Sequence, residues 1–159
     1  MDEKFINAVK RGVDDTFSQM LGWSVQNVAG KKISLDQAIQ EEYCVVIGFA
    51  GNMQGLITLK CSKKVAVQAA SGMLGTEISP DDVADAIGEI LNMITGAIKS
   101  HLAVIDDPFK VAPPTIVSGK DYKVFVKSKI DGDITLFKFE AEKIGSFYIE
   151  VYVTQNEDK

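Results

Sequence analysis

The 159-residue chain holds one histidine, two cysteines, four prolines and one tryptophan. Cys44 and Cys61 stand alone in β-branched surroundings, with neither CxxC spacing nor the crowding of a disulfide scaffold, and read as reduced core thiols. With so few imidazole and thiol donors and no visible clustering of carboxylates, no metal site and no cofactor of the chain's own is expected. No stretch approaches 18 uninterrupted apolar residues, and the charged opening MDEKFINAVKRGVDD lacks the apolar centre of a signal peptide. The expectation is a cytoplasmic protein with no membrane partner. Basic side chains are outnumbered, 17 against 22 acidic ones, and the net charge of −5 repels phosphate backbones, so nucleic acid is not an expected partner.

What is present is ordinary globular material, 46% hydrophobic and 25% charged, with no repeat and no linker, which implies one domain over residues 1–159. Phe5, Ile6, Val9, Val13, Phe17 and Met20/Leu21 recur at helical spacing, and Gly22 ends that helix. Residues 24–35 carry a weak pattern, at most a short strand broken by Gly30, Lys31 and Lys32. Residues 43–50 and 53–60 are strand-like runs around Gly51-Asn52, a pair whose easy positive φ suits a two-residue hairpin. Ser62 is placed to cap a short helix over residues 63–74, closed by Gly75. Ser79-Pro80-Asp81-Asp82 opens a long helix that runs to about Val104 and is stopped by Asp106-Asp107-Pro108. Four strands are predicted after Pro113-Pro114, over residues 115–118, 122–130, 134–141 and 147–153, with a hairpin signal at Asp131-Gly132. Short connections favour an antiparallel meander. The fold class is therefore α+β, two layers, with long helices packed on a mainly antiparallel sheet.

On the long helix, Val83, Ile87, Ile90, Leu91, Ile94, Ile98 and Leu102 share one sector and should be buried. Asp85, Gly88, Glu89, Asn92, Gly96 and Lys99 share the other and should face solvent or a partner. Two glycines inside a helix each cost about 1 kcal/mol relative to alanine and call for a reason. Either another backbone or an active-site loop approaches the helix closely there, or the glycines serve close packing against a neighbouring helix of the same chain. The lone His101, without a Ser or Cys partner in a motif, receives no catalytic role.

The spacing Asp85-x3-Glu89-x2-Asn92 followed by 21 residues and Pro114 resembles the signature of the CheC/CheX/FliY family of chemotaxis phosphatases. The order of hairpin, short helix ending MLG, S-P-D-D cap and motif helix is similar to that family's from about Val45 to Val153, and the single motif copy resembles its CheX branch. The resemblance implies a phosphatase acting on the phospho-aspartate of a CheY-like receiver domain. It implies that Asn92 orients the attacking water, that Glu89 pairs with the receiver's lysine, and that Asp85 supports them. Gly88, Met93 and Gly96 are expected to line the partner contact. Mg²⁺ is expected on the receiver, and Pro114 is expected to shape the turn between helix and sheet, outside the chemistry. Family members also lead one to expect a homodimer through sheet extension. The apolar final strands, with Phe137, Phe139, Phe147, Ile149 and Val151, are the expected pairing edge unless a helix or loop covers it. Two other readings stay open: a receiver-binding or flagellar-switch-like module without catalysis, and a scaffold dimer whose polar helix face is merely solvated.

Overall fold

Asp2 accepts the backbone N–H of Phe5 at 2.8 Å and so starts helix α1 (Glu3–Leu21), which Gly22 closes in the left-handed region at φ 63°. The structure is a computed structural model and describes residues 1–34, 37–75, 78–103, 108–123 and 134–155. Ser62 caps α2 (Lys63–Leu74), its hydroxyl accepting from Val65 N at 3.3 Å. Ser79 and Asp82 form a reciprocal capping box at the start of α3 (Pro80–Leu102), with bonds of 2.8 and 3.2 Å. The expected stop at Asp106-Asp107 lies outside the described residues. Where α1 crosses α3, a Cβ on Gly12 would stand 2.9 Å from Ile98 Cγ1 and 3.2 Å from the Ile94 carbonyl oxygen, so only glycine allows that approach. His101 Nε2 and Asp15 Oδ2, 2.7 Å apart, tie the same two helices at their rim.

The strands are β1 (Val25–Ile33), β2 (Tyr43–Gly51), β3 (Met53–Cys61), β4 (Phe109–Val111), β5 (Thr115–Ser118), β6 (Ile134–Ala141) and β7 (Gly145–Gln155). They form one antiparallel sheet in the order β1-β6-β7-β3-β2-β4, with β5 also on β2. Alternation sends Phe137, Phe139, Phe147, Ile149, Val151, Ile57 and Leu59 to the face covered by the helices. There Phe17, Phe147 and Phe139 stack with centroids 4.7 and 5.3 Å apart. The opposite face carries a smaller apolar cluster of Ile33, Ile134, Leu136 and Tyr152, joined by Ala38, Ile39, Leu56 and Tyr148. Four reversals separate β1 from β2, so they run parallel, and the chain between them crosses this second face. Glu150 pins the crossing: its Oε1 accepts from Ile39 N at 2.7 Å while its Oε2 pairs with Lys60 Nζ at 2.7 Å.

The α+β two-layer arrangement and the three helices match the expectation, and four details correct it. First, β1 runs nine residues straight through Gly30, Lys31 and Lys32. It is an outer strand with mostly exposed side chains, so β6 holds it by backbone pairing and no apolar alternation marks it. Second, Gly51-Asn52 is not a two-residue turn. The last β2–β3 pair is Phe49↔Gly55, Asn52 keeps negative φ, and the flanking residues pair outward to β4 and β7. Third, β5 does not meander into β6 but pairs with β2, across the sheet. Fourth, β6 and β7 are interior strands, since β1 covers β6 and β3 covers β7, so the apolar final strands offer no open edge. The strand expected over 122–130 lies largely outside the described residues, as does the Asp131-Gly132 hairpin signal; Tyr122 and Lys123, which are described, are not in a strand.

Candidate functional site

Helix α3 buries Val83, Ala86, Ile87, Gly88, Ile90, Leu91, Ile94, Thr95 and Ile98, and this sector seats it on the sheet and against α1. Its other side carries the motif. Asp85 and Glu89 are exposed, and Asn92 and Met93 are half-buried. Side chains four residues apart stack along a helix, so this side presents the row Asp85–Glu89–Met93 and, beside it, Asn92 and Gly96. The structure therefore brings the acid and the amide together on one surface, three residues apart.

Among the described residues, no side chain is hydrogen-bonded or ion-paired with Asp85, Glu89 or Asn92. Their polar atoms are held ready for solvent or a second molecule. Asp81 and Asp82 precede them in the first turn, so carboxylates dominate the N-terminal half of the exposed side, where the helix dipole favours negative charge. Hydrogen bonds from Ser79 hold the Asp82 carboxyl below its ordinary range. Such a surface favours a cationic group on whatever docks there.

The two glycines divide. Gly96 is exposed, and a Cβ there would meet nothing within 4 Å, so the helix surface next to Asn92 is low and open. Gly88 is buried instead, which corrects its placement on the open side. A Cβ at Gly88 would lie 3.1 Å from Ile116 Cδ1 and 3.7 Å from Pro114 Cγ. Its lost side chain admits the β5 segment of the same chain, and Gly88 itself is not available as a partner contact. Pro114 lies between β4 and β5, after the chain has joined the sheet, so it does not shape the helix-to-sheet turn expected of it; its Cγ would stand 3.7 Å from a Cβ at Gly88 of the motif helix. Helical periodicity could not reveal that Ile116 and Pro114 adjoin the site; an interior glycine one turn before Asn92 was the available signal.

Burial pushes the Cys44 thiol up to about 11 and the Cys61 thiol up to about 12, so both are inert neutral thiols at ordinary pH. Among the described residues, no group of three or more His, Cys, Asp or Glu side chains is placed to hold a metal ion. No helix among them is long and apolar enough to cross a membrane. Chemically, then, the α3 surface offers one amide that can donate and accept, one carboxylate beside it, and room for close approach.

The family described as chemotaxis phosphatase CheX matches residues 43–138, a segment that contains α3 and Pro114. The CheY-P phosphatase CheX of Thermotoga maritima is 31% identical over 128 residues, spanning 78% of this chain and 81% of that protein. Among solved structures, chemotaxis protein CheX from Desulfovibrio desulfuricans superimposes with a TM-score of 0.83 at 21% identity, covering 94% of this chain and 99% of its own. The CheX–CheY–BeF₃–Mg²⁺ complex from Borrelia burgdorferi matches with a TM-score of 0.74 at 20% identity, covering 94% of this chain and 97% of that one.

Proposed function

The chain belongs to the CheX family of chemotaxis phosphatases, and from that premise we propose that it is a cytoplasmic, single-domain enzyme that hydrolyses the phospho-aspartate of a CheY-like receiver, with Asn92 and Glu89 as its working residues. The observation that carries this reading is the pair itself: Glu89 and Asn92 stand on one side of a helix seated firmly by its other side, with no internal partner among the described residues. Asn92 enters the receiver's phosphorylated site. Its carbonyl accepts a hydrogen bond from a water molecule and turns the water's lone pair toward phosphorus, while its N–H₂ group is free to donate. The water oxygen bonds to phosphorus, the bond from phosphorus to the aspartyl oxygen breaks, and carboxylate and inorganic phosphate separate. Phosphoryl transfer of this kind needs little covalent help and gains chiefly from positioning.

Glu89 docks on the receiver's lysine, and Asp85, one turn before it, extends the acidic row. Met93 continues the row as an apolar contact, and the open surface at Gly96 lets the receiver's backbone come close. Mg²⁺ belongs to the receiver in this reading, where it neutralises phosphate charge; the Borrelia CheX complex is one with CheY, BeF₃ and Mg²⁺. We also propose a homodimer. Among the described residues, the long edge left open by the sheet order is β1, whose Lys31, Lys32 and bulge at Asn27/Ala29 restrict a second copy to a short part of it.

The test is the decay of receiver phosphate. Receivers charged by a small phosphodonor, freed of the donor and held in Mg²⁺, should lose phosphate faster with the wild-type chain than without it. A receiver that binds but is not accelerated would favour a non-catalytic binding module, and the absence of both binding and acceleration for every receiver of the source organism would end the reading.

A further inference from the structure

Residues 109–119 run along the outer edge of β2, and two short strands fix them there. β4 pairs with residues 49–51 of β2 and β5 with residues 43–46, while Ala112 N donates to the Gly48 carbonyl at 2.8 Å and Gly119 N donates to the Glu42 carbonyl at 2.9 Å. The segment carrying Pro114 and Ile116 is thus held to the sheet on both sides. It comes close to α3 at Gly88, where a Cβ would stand 3.1 Å from Ile116 Cδ1 and 3.7 Å from Pro114 Cγ. Gly88 is adjacent to Glu89 and one turn before Asn92. At Gly96, one turn after Asn92, a Cβ would meet nothing within 4 Å.

We propose that Pro114 and Ile116 are positioning residues: pressed on Gly88, they set the height and rotation of α3 so that Asn92 reaches its water at the right distance. The inference rests on the phosphatase reading above. Phosphoryl transfer is sensitive to placement, and a 1 Å error far from the chemistry can cost about 10²-fold in rate. The contact is well suited to such control. It is apolar, it is backed by hydrogen-bonded strands, and glycine leaves no slack for a side chain to take up.

Gly88→Ala tests this with readouts of opposite sign. The new methyl must push Ile116 or α3 aside by a few tenths of an ångström, while alanine favours the helix. The expected result is a Tm equal to or above wild type, unchanged affinity for beryllofluoride-treated receiver in Mg²⁺, and a kcat on phospho-receiver lowered several-fold; Gly88→Val should lower kcat towards 10²-fold. In Gly88→Ala/Ile116→Val the methyl nearest the new Cβ is gone, and at least half of the lost kcat should return. Should the Gly88 variants fold poorly, Ile116→Ala opens the same contact from the strand side and should lower kcat with affinity kept. Unchanged kcat in the folded variants, loss of affinity in place of kcat, or failure of Ile116→Val to rescue would each overturn the proposal. A wild-type chain that accelerates no receiver would instead refute the phosphatase reading on which it rests.

Discussion

Replacing Glu150 by glutamine should destabilise the fold more than any exposed substitution on the site helix. Lys60 Nζ and Glu150 Oε2 are 2.7 Å apart, and the two side chains retain 6% and 5% of their exposure, on the sheet face away from the helices. Glutamine still offers an oxygen to the Ile39 N–H that Glu150 accepts at 2.7 Å, so that bond can survive. What it cannot do is neutralise the Lys60 ammonium. Leaving one partner of a buried pair unmatched costs about 3–5 kcal/mol. In a chain of this size each kcal/mol moves Tm by about 2–4 °C, which gives a fall of roughly 6–20 °C. Glu150→Ala should cost about 1–3 kcal/mol more, since Ile39 N–H is then orphaned as well. The double variant Lys60→Met/Glu150→Gln should recover much of the loss, because it removes the stranded charge itself. Urea unfolding followed by circular dichroism measures all three. A loss below about 1 kcal/mol for Glu150→Gln would mean that water reaches the pair, and no further loss in Glu150→Ala would mean that Glu150 does not pin the crossing between β1 and β2.

Gly96→Ala should raise helix stability by about 1 kcal/mol, yet weaken turnover of phospho-receiver through a higher KM, because the methyl fills the open surface beside Asn92; equal KM values would remove Gly96 from the contact. Iodoacetamide at pH 8 should leave Cys44 and Cys61 unmodified in the native protein and label both in urea, read by mass. Burial raises these thiols to about 11 and 12, and burial with nearby Cys44 and Glu41 raises Tyr122 to about 12. Groups raised in the folded state contribute full stability below their unfolded pKa values of about 9–10 and lose it as pH climbs towards the folded ones. Tm should therefore fall progressively between about pH 9 and pH 12, and a flat profile over that window would contradict the burial.

Much of the architecture was legible because its signals are local. Ser62, Ser79-Pro80 and Gly22 mark helix ends through hydrogen bonds made within a turn, and the apolar stripe of α1 reappears as its buried face. β1 was nearly invisible since an outer strand with exposed Val28, Lys31 and Lys32 needs no alternation; β6 supplies its order from over a hundred residues away. The same distance hid the sheet order, which turned an expected apolar edge into interior strands. At the site, one helical wheel placed Glu89 and Asn92 together and Ile87, Ile90 and Leu91 beneath them. It could not separate Gly88 from Gly96. The difference comes from Pro114 and Ile116, which a wheel does not contain.

The most direct test of the central claim compares wild type with Asn92→Ala on a saturating phospho-receiver in Mg²⁺, with affinity for the beryllofluoride-treated receiver measured in parallel. Loss of a positioning amide should cut the hydrolytic rate by about 10²–10³-fold while affinity stays within a few-fold. Hydrolysis that persists at the wild-type rate with Asn92 removed would contradict the account.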